Sequence, residues 1–226
     1  MAKVLPIDGG KIRLPGTRDR LTVIGPTGSG KTQAALWHLS NASFNSRPWI
    51  VIDPKREELL SGIEAAEYIP VGEIPKKPGI YIVNPIPSDA PLVDKMLIDI
   101  WDRENIGIWL DEGLMFGTGD GVDACLTQGR SKQIPMIFLM QRPVWVSRFA
   151  VSEATFIQYF GLEDERDQRT VKAFARNLPV DQTLERFHSF YYDVPRKLNY
   201  HFKPVPEGQK ILDRINQRLE PQRKVI

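Results

Sequence analysis

Residues 21–32 read LTVIGPTGSGKT. The first five form an apolar run of strand length. The last eight, Gly25 to Thr32, fit G-x-x-x-x-G-K-[ST] at every position. An apolar strand before the glycines and a helix after them is the setting this pattern needs to bind phosphate. Gly28 and Gly30 let backbone N–H groups turn inward around an anion. A helix beginning at Lys31 points its positive dipole end at the same place. Lys31 supplies a full charge to β- and γ-phosphates, and the Thr32 hydroxyl ligates Mg²⁺. The candidate nucleotide-binding set is therefore Gly25, Pro26, Thr27, Gly28, Ser29, Gly30, Lys31 and Thr32, with ATP and Mg²⁺ as the implied cofactors.

Outward from this loop the chain alternates short apolar runs with longer amphipathic ones. Strands are expected at 21–25, 48–53, 79–84, 106–112, 135–140 and 154–160. Helices are expected from Lys31 to about Ser40, near 55–66, from Asp89 to about Arg103, over Val122–Lys132, and from Glu163 to about Asn177. Ser88 or Asp89 is the expected N-cap of the third. Such alternation predicts an α/β fold with a mostly parallel sheet and helices on both faces. RFHSFYYD (186–193) and KLNYHFKPV (197–205) alternate about Pro195-Arg196 and predict an antiparallel hairpin. A basic helix near 206–220 follows, and the tail 214–226 is read as docking a partner or fraying. The expectation is one P-loop ATPase domain over 1–226, with its core at about 18–180 and the hairpin and helix at about 181–226.

The bulk numbers suit this reading. The 226 residues are 42% hydrophobic and 26% charged, with a net charge of +2. That is enough chain for one sizeable core. The single cysteine, Cys125, permits neither an internal disulfide nor a cysteine-based zinc site and fits a reducing compartment. No apolar run approaches the roughly 20 residues needed to cross a bilayer. Residues 1–16 lack the apolar stretch of a signal peptide, so a cytoplasmic location is expected.

Two more strand ends carry chemistry. IGIWLDE (106–112) finishes in two carboxylates, at the strand end where ligands of parallel sheets collect. Asp111 would hold the Mg²⁺ shell, and Glu112 would act as general base toward an attacking water. MIFLM (136–140) runs into Gln141, Arg142 and Pro143. The Gln141 amide, donor and acceptor at once, suits phosphate sensing or water orientation; capping the strand end is the plain alternative.

Together these motifs resemble the FtsK/HerA superfamily of ring-forming, DNA-pumping ATPases. The resemblance rests on GPTGSGKT, IWLDE, IDPKRE (52–57), GRSKQIPMIFLMQRP (129–143) and the following FIQYFGLEDERDQRT, and covers about residues 21–175. Within the superfamily the short chain is most similar to genome-packaging ATPases of membrane-containing icosahedral phages. The resemblance implies a RecA-like sheet of the additional-strand, catalytic-glutamate type, with the Gln-Arg-Pro strand between the two phosphate-site strands. It implies Lys31, Glu112, Gln141 and Arg130 as catalytic, Arg130 as a finger reaching the neighbouring subunit in a ring, a hexamer in this reading. Arg103 competes for that role, and a solvated helix-end cation is the plain reading of Arg130. Double-stranded DNA, viral portal or vertex proteins and association with the virion are implied as well.

Several assignments stay open on the residues alone. Asp53 and Lys55 suit a subunit contact, a nucleotide-proximal role or a turn around Pro54. Arg148, Arg166, Arg169 and Lys172 are candidate DNA contacts, against a solvated face shared with Glu163, Asp164, Glu165 and Asp167. The segment GLMFGTGDG (113–121) reads as a loop able to enter a pore. His38 reads as packed, and His188 and His201 lack a third metal ligand. The aromatics Phe187, Phe190, Tyr191, Tyr192, Tyr200 and Phe202 read as core and surface of a hairpin, not as base-stacking platforms. A nucleoside or small-molecule kinase and a nucleotide-binding structural component are the alternative functions. A GTPase is disfavoured by the lack of Asn-Lys-x-Asp.

Overall fold

The alternating apolar runs assemble into a sheet that separates two cores. The computed structural model describes residues 4–5, 12–111, 113–116 and 118–223. Its strands are β1 Val4–Leu5, β2 Arg20–Ile24, β3 Pro48–Ile52, β4 Glu67–Tyr68, β5 Gly79–Val83, β6 Gly107–Leu110, β7 Met136–Met140, β8 Phe156–Tyr159, β9 Ser189–Asp193 and β10 Leu198–Phe202. The helices are α1 Lys31–Leu39, α2 Glu58–Ser61, α3 Ala90–Arg103, α4 Gly113–Phe116, α5 Asp120–Gln128, α6 Phe149–Ser152, α7 Glu165–Phe174 and α8 Gly208–Arg223. Among the described residues no helix is long and apolar enough to cross a membrane.

The described strands form one sheet in the order β1-β10-β9-β8-β2-β7-β6-β3-β5-β4. Pairing is parallel from β8 through β4, and β9 joins β8 antiparallel. The expected hairpin is present as β9 and β10, and it extends the main sheet rather than standing apart. The short strands β1 and β4 have no signal in the sequence, being two residues each.

Side chains alternate across this sheet with period two. On β3, Ile50 and Ile52 face one core while Trp49 and Val51 face the other. On β7, Met136, Phe138 and Met140 face the first, and Ile137 and Leu139 the second. The first core is covered by α3, α5, α6 and α7 through residues such as Met96, Val122, Ala150 and Val171. The second is covered by α1, α2 and α8, through Leu36, Leu60 and Ile215 among others. The hairpin has no solvent side of the expected kind: Tyr191 enters one core, and Phe190 and Tyr192 the other.

Two local expectations change. The segment 113–121 is not a plain loop, because Gly113–Phe116 and Asp120–Gln128 are helical and Phe116 is buried. Gly121 N donates to Asp94 Oδ1 at 2.8 Å, which fastens α5 to α3. The basic α8 docks on its own chain. Arg218 lies over the Phe44 ring at 4.3 Å and donates to the carbonyls of Ser40 and Ala42, and Arg214 donates to Asn41. A cation at these carbonyls complements the negative end of α1. Residues 224–226 of the tail lie outside the described residues.

Gly107 opens β6 directly opposite Trp49 of β3. A methyl group at Gly107 would overlap the buried Trp49 indole. The absent side chain makes room for the ring. Gly107→Ala is therefore expected to lower stability by about 2 kcal/mol through forced repacking, read as a lower urea midpoint with an unchanged slope.

Candidate functional site

Three carboxyl ends of parallel strands meet at one edge of the sheet. β2 leads into the glycine loop, β7 lies beside it, and β6 follows. Gly25 N donates to Met140 O at 3.2 Å, so the loop leaves β2 while still held to β7. Gly28 (φ 77°) and Gly30 (φ 95°) sit in the left-handed region, where any side chain is strained. Gly30 stands at the N-cap of α1, whose first amides therefore open toward the loop. Lys31 is buried, and its Nζ donates to Pro26 O at 2.7 Å across the loop. Ser29 Oγ is buried with no hydrogen-bond partner among the described residues. A loop with inward amides, a buried ammonium and an unserved hydroxyl is made for a polyanion.

Gln141 is brought to this loop. Thr27 Oγ1 donates to Gln141 Oε1 at 2.8 Å, so the amide lies against the loop side chains rather than merely closing the strand. Asp111, at the end of β6, is 3% exposed, and its N–H donates to Ile52 O at 3.1 Å. Glu112 lies outside the described residues.

Arg142 has an intramolecular task that the sequence left unassigned. Its Nη2 donates to Asp164 Oδ2 at 2.8 Å and its Nε to Asp167 Oδ2 at 2.5 Å. Its guanidinium also lies 4.5 Å from the Trp145 ring centre. Asp167 is fully buried and takes a further hydrogen bond from Val144 N at 3.0 Å. Asp167 is thus no part of a solvated acidic face. Asp164 caps α7 by accepting from Arg166 N, and that bond holds its carboxyl below the usual range. No spacing in the sequence marks these acids as partners of Arg142.

Arg130 is exposed on the turn after α5, at the opposite edge of the sheet. Burial lowers the Arg20 pKa, Glu153 opposes this, and nearby Arg130 adds to the lowering. Arg20 begins β2 and the phosphate loop ends it, about 15 Å further along an extended strand. Arg130 therefore lies at the opposite end of β2 from the loop. Arg103, also exposed, precedes β6 at that same far edge and donates to Ile74 O at 3.1 Å. The other cations scatter. Arg166 pairs with Asp164 and Arg169 with Glu165, both exposed on α7. Arg148 lies over Phe149, and Lys172 is exposed near the end of α7.

Asp53 is 2% exposed and its Oδ2 accepts from Glu57 N at 2.9 Å, which favours the turn reading. Burial raises its pKa. Lys55 is exposed at the same edge. His188 Nδ1 and His201 Nε2 lie 3.1 Å apart, and no group of three His, Cys, Asp or Glu fit to hold a metal occurs among the described residues.

A parallel sheet that opens into such a loop, with one strand inserted between loop strand and acidic strand, defines a P-loop NTPase. No protein-family model matches the chain. The chain does belong to the family of the DNA packaging ATPase P9 of Enterobacteria phage PRD1. The two are 45% identical over 219 residues, 91% of this chain and 95% of that protein. The fold is also that of the genome packaging NTPase B204 from Sulfolobus turreted icosahedral virus 2. In complex with AMPPCP, B204 aligns at a TM-score of 0.66 and 14% identity, over 85% of this chain and all of B204. The pCW3 conjugation coupling protein TcpA, with ATPγS, aligns at a TM-score of 0.55 and 15% identity, over 87% of this chain and 64% of TcpA.

Behind the loop, α1 carries His38 into the second face of the sheet. Its Nε2 lies 2.8 Å from Gln158 Oε1, and Gln158 donates to Ser189 at 2.9 Å. Burial lowers the His38 pKa to about 4, so the imidazole is neutral in the fold. The unfolded chain binds this proton near pH 6.5. Stability from His38 is therefore complete above that value and is lost as pH falls toward 4. Between pH 7 and pH 5 the loss is about 2 kcal/mol. In His38→Gln the pH 5 and pH 7 urea midpoints are expected to lie closer together than in the unchanged protein.

Proposed function

We propose that this chain is the ATP-hydrolysing motor that drives double-stranded DNA into a viral capsid, working as a ring of identical subunits. The observation that carries the reading is the meeting of the glycine loop, Gln141 and Asp111 at one sheet edge, in a chain 45% identical to a phage DNA packaging ATPase.

In this reading Lys31 exchanges the Pro26 carbonyl for β- and γ-phosphate oxygens of ATP. The Thr32 hydroxyl and the Asp111 carboxylate are hard oxygen donors, the set that Mg²⁺ takes up together with phosphate oxygens and water. The buried Ser29 hydroxyl without a protein partner fits the same anion-and-cation cradle. When bound, the ion neutralises charge on the phosphates. Gln141, already against Thr27, orients the attacking water. Glu112 accepts its proton. Arg130, at the far end of β2 from its own loop, reaches the neighbouring subunit's nucleotide and neutralises charge in the transition state. Arg148, Arg166, Arg169 and Lys172 touch DNA phosphates, a role that asks for cations without base readout. Arg166 and Arg169 first have to leave their acidic neighbours, so Arg148 and Lys172 carry more of this task. The motor acts in the infected cell, at the capsid vertex.

The test is ATPase activity against protein concentration, with and without double-stranded DNA. Activity is expected to rise with assembly and with DNA. Activity in a monomer that is indifferent to both, or phosphoryl transfer to a small acceptor, would overturn the motor. Lys31→Ala is expected to abolish ATP binding. Glu112→Gln should bind ATP and not turn it over. Arg130→Ala should lose about a thousandfold in rate. Mixing Arg130→Ala with Lys31→Ala subunits should restore part of that rate, because each supplies what the other lacks.

A further inference from the structure

The phosphate loop has two flanks. Gln141 marks the β7 flank, which leaves the β8 flank for the other end of a bound nucleotide. There, next to Gly30, lies a cavity of about 220 Å³ lined by Gly30, Gln33, Phe160, Phe187, Pro204 and Val205. Phe160 follows β8, with its N–H on Ile24 O at 2.8 Å. A methyl group on Gly30 would stand 3.3 Å from Phe187 Cδ1 and 3.9 Å from Phe160 Cε1, so both rings border the loop.

Phe187 is unusual in three independent ways. Its backbone has φ 64°, a conformation that a bulky residue adopts only when its surroundings impose it. The residue is 41% exposed, beside a hairpin whose aromatics are buried. The Arg186 guanidinium sits 4.6 Å from the ring centre, holding the ring in place. It precedes β9 rather than belonging to it.

The two glutamine amides of the lining are already committed. The Gln158 amide bridges His38 and Ser189, and Gln33 Nε2 donates to Pro206 O at 2.7 Å. Glu207 lies 3.9 Å from Lys210, and Lys203 is exposed at the rim. Among the described lining residues the cleft offers flat apolar area, with the glutamine amides already engaged and the charged side chains exposed at its rim.

We propose that Phe187, with Phe160, walls the subsite for the nucleotide base, and that it selects by ring area rather than by edge pattern. This rests on the reading that the glycine loop holds the phosphates. ATP and GTP then bind alike, and CTP and UTP more weakly, because the larger ring system stacks better.

The experiment is equilibrium binding of ATP, GTP, CTP and inorganic tripolyphosphate to the full chain and to Phe187→Ala and Phe187→Trp. For Phe187→Ala the Kd for ATP and GTP is expected to rise about tenfold, the preference over CTP to shrink, and tripolyphosphate affinity to stay. Phe187→Trp restores purine binding. Parallel loss of tripolyphosphate would overturn the proposal, since Phe187 would then only prop Gly30. Unchanged ATP affinity would overturn it as well. Lys31→Ala binding ATP normally would remove the phosphate-loop reading and the base subsite with it.

Discussion

The placement of β7 between β2 and β6 is the constraint on which the rest depends. Met136 to Met140 pair in register with Arg20 to Ile24 on one side, and Met136 to Phe138 with Ile108 to Leu110 on the other. Because all three strands run parallel, their carboxyl ends come out together. The glycine loop, Gln141 and Asp111 thereby share an edge without any long-range contact between their side chains having to arrange it. The same ladder sends the turn carrying Arg130 to the opposite edge. A slip of one residue on β7 would exchange its core faces, putting Ile137 and Leu139 where Met136, Phe138 and Met140 now pack.

That ladder ends in a turn stabilised by an unusual choice. A carboxylate removed from water costs several kcal/mol unless it is served by partners. Asp167 is served by the Arg142 guanidinium and the Val144 amide, and the guanidinium is shared with Asp164 at the start of α7. Phosphate-loop side chains touch Gln141, Gln141 precedes Arg142, and Arg142 is bolted to a helix bearing Arg166, Arg169 and Lys172. The path from the loop to that helix is therefore short, and its last links, from Arg142 to Asp164 and Asp167, are charge-assisted hydrogen bonds, which hold geometry better than apolar contact.

Much of this was legible from local pattern. A short apolar run next to glycines, or next to an acid or amide, announces a parallel strand and its end, and β2, β3, β5, β6 and β7 all have that form. What the pattern does not contain is partnership across distance. Asp167 reads as one acid among several until its helix turns it inward. Arg214 and Arg218 read as a free basic tail until α8 packs against α1. Phe187 reads as one more hairpin aromatic, because nothing local foretells a left-handed backbone there. Two-residue strands such as β1 and β4 carry no periodicity, and Gly113–Phe116 is too short for a helical stripe to be seen.

The attachment of α8 has a consequence for the order of assembly. One end of α1 is the phosphate loop; the other is capped by Arg214 and Arg218, while Gln33 near its start is held by Pro206. Both ends of this single helix thus wait for residues beyond 203. During synthesis the loop emerges early, and the helix behind it packs on β2 and β7, yet it lacks these end contacts until some 190 further residues have been added, the span from Lys31 to Arg218. The helix that carries the phosphate loop is therefore held at both ends only when the chain is nearly whole.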